Sequence, residues 1–501
     1  MKTIRTLFLL TVTATVLFAC RKNERFTDDS GIRLEFSQDT VLFDTVFTTV
    51  GTVTKRFTAR NPNANAVRIS VGLEGGSASD YRINVDGATG TAFTDVEVLG
   101  GDSLYIFVEA TLGPGGVNTP FIIEDRILFN TNGTEQEVRL MAWGQDALFY
   151  PNPNAPMQSV QGFPQFSYIA GGFDQNGVQI CGQNVIWTAE KPIVLLKYGV
   201  VDSCNSLTIE AGARVYVHGG AGLWVYRGGQ ITANGTLQNP ITFQGDRREE
   251  QFAELPGQWD RIWINEGPSG MDNKFEYVTI KNALIGIQCE PFPLYPDLPT
   301  SEARLMLNKV RIRNCSAAGI LSRNYKIRST DLLVGDCGQY SIALTGGGEY
   351  FFDHTTVANY WDYEIRQTPA FYITNGYQDI TSATQLREIT GFSLTNGIIY
   401  GANENEFQFD LDQTALPNGS IERMMIKTTQ ATGPEFGPNY WQNQSPGFLS
   451  TGDRDFHLGE NSNARDKSDA PSPDALTDLD GNSRYCGSGS GWDLGCFEYC
   501  Q

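Results

Sequence analysis

Histidine is scarce in this chain of 501 residues: His218, His354 and His457 are its three copies, far apart along the sequence. A transition-metal centre needs closely spaced His, Cys and carboxylate ligands, so neither a metal site nor a cofactor is assigned. His354 follows Asp353, which would suit a catalytic pair, but its place on a repeated strand predicts an outward, solvent-facing ring. His218-Gly219-Gly220 resembles a fragment of an oxyanion loop, and no Gly-x-Ser-x-Gly elbow accompanies it. Asp478, Asp480 and Asn482 alternate as calcium ligands do, yet Gly481 is misplaced for a calcium loop, so a polar turn is expected. A lyase would need an Arg or Lys base beside acidic groups, and a glycosidase a pair of carboxylates. Neither set is evident, and no catalytic residue is assigned.

Aromatic residues offer a different chemistry. Trp259 and Trp263 flank Asp260 and Arg261, a combination that can stack on a sugar ring while bonding its hydroxyls; lateral packing is the alternative. Tyr360, Trp361 and Tyr363 in YWDYEIR, with Phe351 and Phe352 nearby, suggest a binding patch for sugar or protein. The same rings could instead stack beneath a following coil. These five residues, Trp259, Trp263, Tyr360, Trp361 and Tyr363, are the binding candidates.

The elements that must position them are repeated. FEYVTIKN, LNKVRIRN, STDLLVGD and FDHTTVAN are alternating strands that stop at Asn282, Asn314, Asp336 and Asn359. A period of roughly 22 residues fits one coil of a solenoid. Stacked coils would align the four stop residues as a ladder and turn Val278/Ile280, Val310/Ile312, Leu332/Val334 and Thr356/Val357 inward. Cys315 and Cys337 would then sit in adjacent coils, within disulfide range or as a thiol stack. From Leu207 apolar doublets recur every eight residues or so, as one face of a three-faced coil would; about nine or ten coils are expected before Ile426. The pattern resembles the right-handed parallel β-helix superfamily, which includes pectate-lyase-like proteins. That resemblance implies a fold and, as an alternative function, a polysaccharide lyase or glycoside hydrolase acting on an acidic polysaccharide.

The formal net charge of −20 argues against nucleic acid as a partner. Lys2, Arg5 and the apolar run Leu7 to Phe18 read as a signal peptide. Leu17-Phe18-Ala19-Cys20 resembles a bacterial lipobox, with Phe18 departing from the usual small residue, and implies lipidation at Cys20. Asp39-Thr40-Val41, Asp44-Thr45-Val46 and Asp102-Ser103-Leu104 resemble the O-glycosylation triplet of Bacteroidota. An outer-membrane, lipid-anchored protein, facing the cell surface or the periplasm, is expected.

Residues 31–146 carry several strands with turns at Asn61-Pro62-Asn63 and Asn132-Gly133. Their order resembles immunoglobulin-like domains of the ASPM-SPD-2-Hydin type, which implies a spacer or docking module. Near the other end, DFHL, DLDG and DLG with Phe497-Glu498 resemble the tail called choice-of-anchor Q; Cys496 stands where that tail has Ala. Eight cysteines remain after Cys20, an even number that permits disulfides in an exported chain. Cys181 with Cys204, and a bond among Cys486, Cys496 and Cys500, are expected. The division is therefore 1–19 signal peptide, 20–30 tether, 31–146 sandwich, 147–190 connector, 191–430 β-helix and 431–501 cap. The whole is an all-β chain, read as a non-catalytic scaffold or binding subunit for an outer-membrane protein complex or a surface glycan.

Overall fold

The computed structural model describes residues 25–47, 51–111, 121–150, 156–248, 252–486 and 491–500; the expected signal peptide and the expected lipidation site, Cys20, lie outside them. The chain divides into two compact units, residues 1–147 and 148–501, and the described residues contain strands but no α-helix.

The first unit is a sandwich of two five-stranded sheets. Its longest hairpin joins Phe121–Thr131 to Thr134–Gln145. Asn132 and Gly133 turn it with φ of 51° and 86°, the left-handed pair whose twist matches that of the strands. Alternation along Val67–Leu73 and Ser103–Ala110 buries Val67, Ile69, Val71, Ile106 and Val108 between the sheets.

The second unit is a parallel β-helix. Its strands form one 25-stranded sheet in which strands of successive coils pair in parallel register. Three columns wrap the core. One runs through Ile193–Leu195, Arg214–Val217, Ile241–Gly245, Val278–Lys281, Arg311–Cys315, Leu333–Cys337 and Thr356–Asn359. A second carries Phe166–Ala170, Tyr198–Val201, Leu223–Val225, Trp259–Ile264 and Ala283–Cys289. The third includes Ser206–Glu210, Gln230–Asn234, Asn273–Glu276 and Arg304–Asn308. The expected ladder forms at three positions: Asn282, Asn314 and Asp336 have φ of 66°, 58° and 51°, and Asn314 Nδ2 donates to Asn282 Oδ1 at 2.9 Å. Asn359, in register with Asp336, bonds the turn backbone of the preceding coil instead of a ladder side chain, donating to the Cys337 carbonyl at 3.0 Å and accepting the Cys337 N–H at 3.3 Å.

The coil begins earlier than its sequence period suggests. Leu148–Tyr150, Phe166–Ala170 and Asn184–Trp187 pair with Ile193–Leu195, Tyr198–Val201 and Ser206–Glu210, so these three strands of the expected connector, 147–190, already belong to a first coil. Irregular loops between these short strands hide the period, while Ile169, Ala170 and Trp187 join the core of the rod. At the far end Tyr440–Gln442 still pairs with Ile421–Ile426, extending the coil beyond residue 430.

The segment after residue 442, expected as an end cap, runs back along the outside of the first column as a strap. It bonds successive coils: Asp469 N–H to Asn396 Oδ1 at 2.9 Å, Cys496 N–H to Thr356 Oγ1 at 3.0 Å, and Lys309 Nζ to the Thr477 carbonyl at 2.6 Å. Thr356 therefore faces outward, not inward as expected. Beneath the strap Leu333 and Ala358 pack on Phe456, Leu479, Cys496 and Phe497, and Ile398 and Met425 on Leu458, Ala464 and Leu494. Burying these outward apolar side chains is the main gain from laying the strap on the column.

A charged clasp holds one turn of the strap. His457 Nδ1 lies 2.5 Å from Asp455 and Nε2 2.6 Å from Asp480, and its ring packs 4.0 Å from that of Phe497. The Asp480 carboxylate, followed by Asp455, pushes the imidazole pKa up from 6.5 to about 9. The clasp's contribution is complete below about pH 6.5 and lost as pH rises through about 9. Because the ring is 40% exposed, solvent screening holds that contribution to about 1 kcal/mol. Thermal midpoints measured from pH 6 to 10 should fall across this window, and the fall should shrink in His457→Gln. An equal fall in that variant would exclude the clasp as its cause.

Candidate functional site

The second column carries an aromatic recess on its outer side. Outward positions of successive strands stack Val200 beside Tyr168 and Trp224, and Trp224 beside Trp263. The Trp224 and Trp263 rings lie 4.6 Å apart at 13°, and Phe163 covers the other side of Trp224 at 6.0 Å and 11°. Other rings stand on edge to these. Phe166 meets Tyr168 at 88° and Trp224 at 75°, while Tyr226 and Phe292 meet Trp224 at 90° and 89°. The rings enclose a half-open void of about 340 Å³, with Phe173 and Val160 at its rim. Phe173 is 60% exposed.

Local chemistry explains how two irregular loops come to wall it. One is the hairpin around Asp174, whose Oδ1 accepts the N–H groups of Asn176 and Val178 at 2.8 and 2.9 Å. Its base is pinned by the Cys181–Cys204 disulfide. Gly172, at φ 88°, passes so close to Tyr168 that a Cβ would come within 2.7 Å of the ring; a side chain there would push the hairpin off the recess. The other wall is the insertion after Cys289, which brings Phe292 5.9 Å from Trp224.

Polar groups are few. Asp202 lines the void, is 5% exposed, and accepts the N–H of Ser203 at 2.8 Å and of Gly172 at 3.3 Å. Ser203 donates its hydroxyl to the Arg227 carbonyl at 2.7 Å. Burial, and then the Asp202 charge, raise the Tyr168 phenol pKa, so that phenol stays a neutral donor. No Lys, Arg or His lines the void. One carboxylate without a basic partner does not assemble the acid and base that lyase or glycosidase chemistry requires. Nor do three His, Cys, Asp or Glu side chains converge as metal ligands among the described residues.

Beside the recess runs a saturated ion network. Trp263 Nε1 donates to Glu290 at 2.9 Å, Arg323 reaches the same carboxylate at 2.5 Å, and Gln288 Nε2 donates to it at 2.6 Å. Asp260 accepts from the Tyr198 hydroxyl and from Arg261. Burial and that carboxylate raise the Tyr198 pKa. These groups hold one another, which fixes Trp263 as a support for Trp224.

The structure redistributes the other candidates. Trp259 is 1% exposed, belongs to the core and donates Nε1 to the Lys281 carbonyl at 2.9 Å; the strand turns it inward, so it cannot bind a ligand. Tyr360 stacks under the strap, 6.0 Å from Phe456 at 20°. Trp361 is buried, and the Tyr363 hydroxyl donates to the Glu254 carbonyl at 2.6 Å. Tyr360 and Trp361 are therefore taken up by packing of strap and coil, and Tyr363, 43% exposed, lies on the loop at Glu254, so the three do not form one open patch. His354, expected at the surface, is 0% exposed. The strap covers it at Gly495, and burial, with Arg484 nearby, lowers its pKa well below the usual imidazole value. Cys486 bonds to Cys500. Cys315, Cys337 and Cys496 are free, buried thiols. Cys315 and Cys337 lie in register and meet as the expected thiol stack, not as a disulfide; each thiol also lies near the carbonyl two residues back on its own strand, of Arg313 at 3.7 Å and Gly335 at 3.4 Å. Cys496 belongs to the buried cluster of Leu479 and Phe497 beneath the strap. Asp478 forms a polar turn, with Oδ1 accepting N–H groups of Asp480 and Asn482 at 3.0 and 2.7 Å.

Sequence reasoning found Trp263 but missed Phe163, Phe166, Tyr168, Trp224, Tyr226 and Phe292. A usable signal exists in LWVYRGG and FSYIAGG, where outward positions hold rings instead of the Thr or Gln that other coils use.

No family model and no curated protein matches the chain. Solved structures with local similarity include a family 123 glycoside hydrolase from Clostridium perfringens, at 7% identity and TM-score 0.19, covering 31% of this chain and 30% of that one. The chain thus spans under a third of that hydrolase. The CooA pilin subunit of enterotoxigenic Escherichia coli matches at 9% identity and TM-score 0.17, over 23% of this chain and 97% of the pilin. A PapD-like domain of human CEP192 matches at 11% identity and TM-score 0.16, over 25% and 92%.

Proposed function

We propose that this chain is a non-catalytic binding subunit of the bacterial envelope, tethered through a lipidated Cys20, whose β-helix recognises a partner with the aromatic recess on its first coils. The observation that carries the reading is the recess itself: perpendicular rings around a void, fixed by a disulfide and by a saturated ion network, with no acid–base set. Pre-formed concave sites of mainly apolar lining are the usual form of ligand pockets, and buried aromatic anchors dominate binding energies at interfaces.

The test compares the wild-type lipoprotein with Phe173→Ala and Tyr226→Ala in affinity isolation from gently solubilised membranes. A stoichiometric partner should accompany the wild type and fall at least tenfold in the variants, a loss of about 1.4 kcal/mol or more. In parallel, acidic polysaccharides incubated with the protein should yield no unsaturated product absorbing in the ultraviolet. Such product, or a partner retained equally by both variants, would overturn the reading.

A further inference from the structure

The recess combines three features that narrow its occupant, and the inference rests on its being the recognition site. Its walls are aromatic rings set at 75° to 90° to one another. Aromatic rings draw a cation to their electron-rich faces. Asp202 adds a negative charge at 5% exposure. Its hydrogen bonds come from the neutral N–H groups of Ser203 and Gly172, and among the described residues no Lys, Arg or His forms an ion pair with it. A buried carboxylate without a counter-ion is costly, and an entering cation would relieve that cost.

A sugar fits this wall poorly. Each pyranose hydroxyl taken from water needs a new partner, whereas the lining offers only Gln179, Ser203, the two tyrosine hydroxyls and Asp202 as polar side chains, the Trp224 indole N–H being already given to Asn265 at 2.8 Å. A primary ammonium or a guanidinium has the same defect, because it brings several N–H donors. A quaternary ammonium carries charge without donors, and its methyl groups bury favourably against rings.

We propose that the recess binds a quaternary ammonium group, with Tyr168, Tyr226, Phe166 and Phe292 around the methyls and Asp202 as counter-charge. A void of about 340 Å³ accommodates the trimethylammonium head and the first part of the chain that carries it. Free choline-type solutes and a choline lipid headgroup share this chemistry.

The full-length protein would be titrated with choline, followed by tryptophan emission, since Trp224 and Trp263 lie at the recess, and by calorimetry. The neutral isostere 3,3-dimethyl-1-butanol serves as control, and phosphatidylcholine vesicles are compared with phosphatidylglycerol vesicles. Choline should bind saturably and at least tenfold more tightly than the isostere. Asp202→Asn and the rim variant Phe173→Ala should each weaken it about tenfold. Preference for free choline identifies a solute, and preference for phosphatidylcholine vesicles a lipid. Equal affinity for choline and the isostere, or no binding of choline and of phosphatidylcholine, would overturn the assignment. If the rim variants still lose the envelope partner in that case, the recess stands as a recognition site and only its ammonium chemistry falls.

Discussion

Replacing Arg484 by Met should cost about 3–5 kcal/mol, the usual penalty for removing one member of a buried charge group. Its guanidinium is 0% exposed and sits 2.5 Å from Asp331, 3.2 Å from Glu498 and 3.0 Å from the Gly495 carbonyl. Asp331 belongs to the coil and Glu498 to the strap, so this one side chain joins the two. Without it Asp331 retains Lys309 at 2.7 Å, but Glu498 is left beside Asp493. Burial, and secondarily Asp493, already raise the Glu498 pKa to about 7, so the carboxyl would take up a proton and the strap would loosen. Hydrogen exchange at the amides of Asp478 to Glu498 should quicken in the variant while the coil core stays protected. Unchanged exchange there would show that apolar contacts alone hold the strap.

The second large effect concerns Trp259. Trp259→Ala removes an indole wholly enclosed by the coil and should cost about 3–5 kcal/mol, seen as a lower urea midpoint. Binding by the protein that remains folded should be unaffected, because the recess lies on the other side of the strand. Trp263→Ala should behave in the opposite sense, with a smaller loss of stability and a clear loss of binding, since it supports Trp224 from outside. A selective loss of binding in Trp259→Ala would contradict the inward placement.

These two tryptophans show where sequence is readable and where it stops. Period and alternation announced stacked coils, because each strand must turn Val278, Ile280, Val310 and Ile312 to a common core. In Trp259–Ile264 a register shift between Arg261 and Ile262 breaks the alternation, so equal spacing does not mean equal facing, and one Trp points in and the other out. The strap leaves a signal in the coil sequence: Leu332-Leu333-Val334, Ile398-Ile399 and Met424-Met425-Ile426 are continuous apolar runs, which mark strands covered on both faces. The recess was less legible. Its walls come from loops at Phe163, Phe173 and Phe292, and their convergence depends on a disulfide and on how the first coils stack, which local pattern does not encode.

The most direct test of the central claim places a photo-crosslinking amino acid at position 173, on the rim of the recess, and a second at position 365, where Ile365 is 91% exposed outside it. Illumination of cells expressing each variant is followed by mass spectrometry of the protein. One dominant adduct is expected from position 173 and none from position 365. Adducts of equal yield from both positions, or none from position 173, would contradict the recess as the site of recognition.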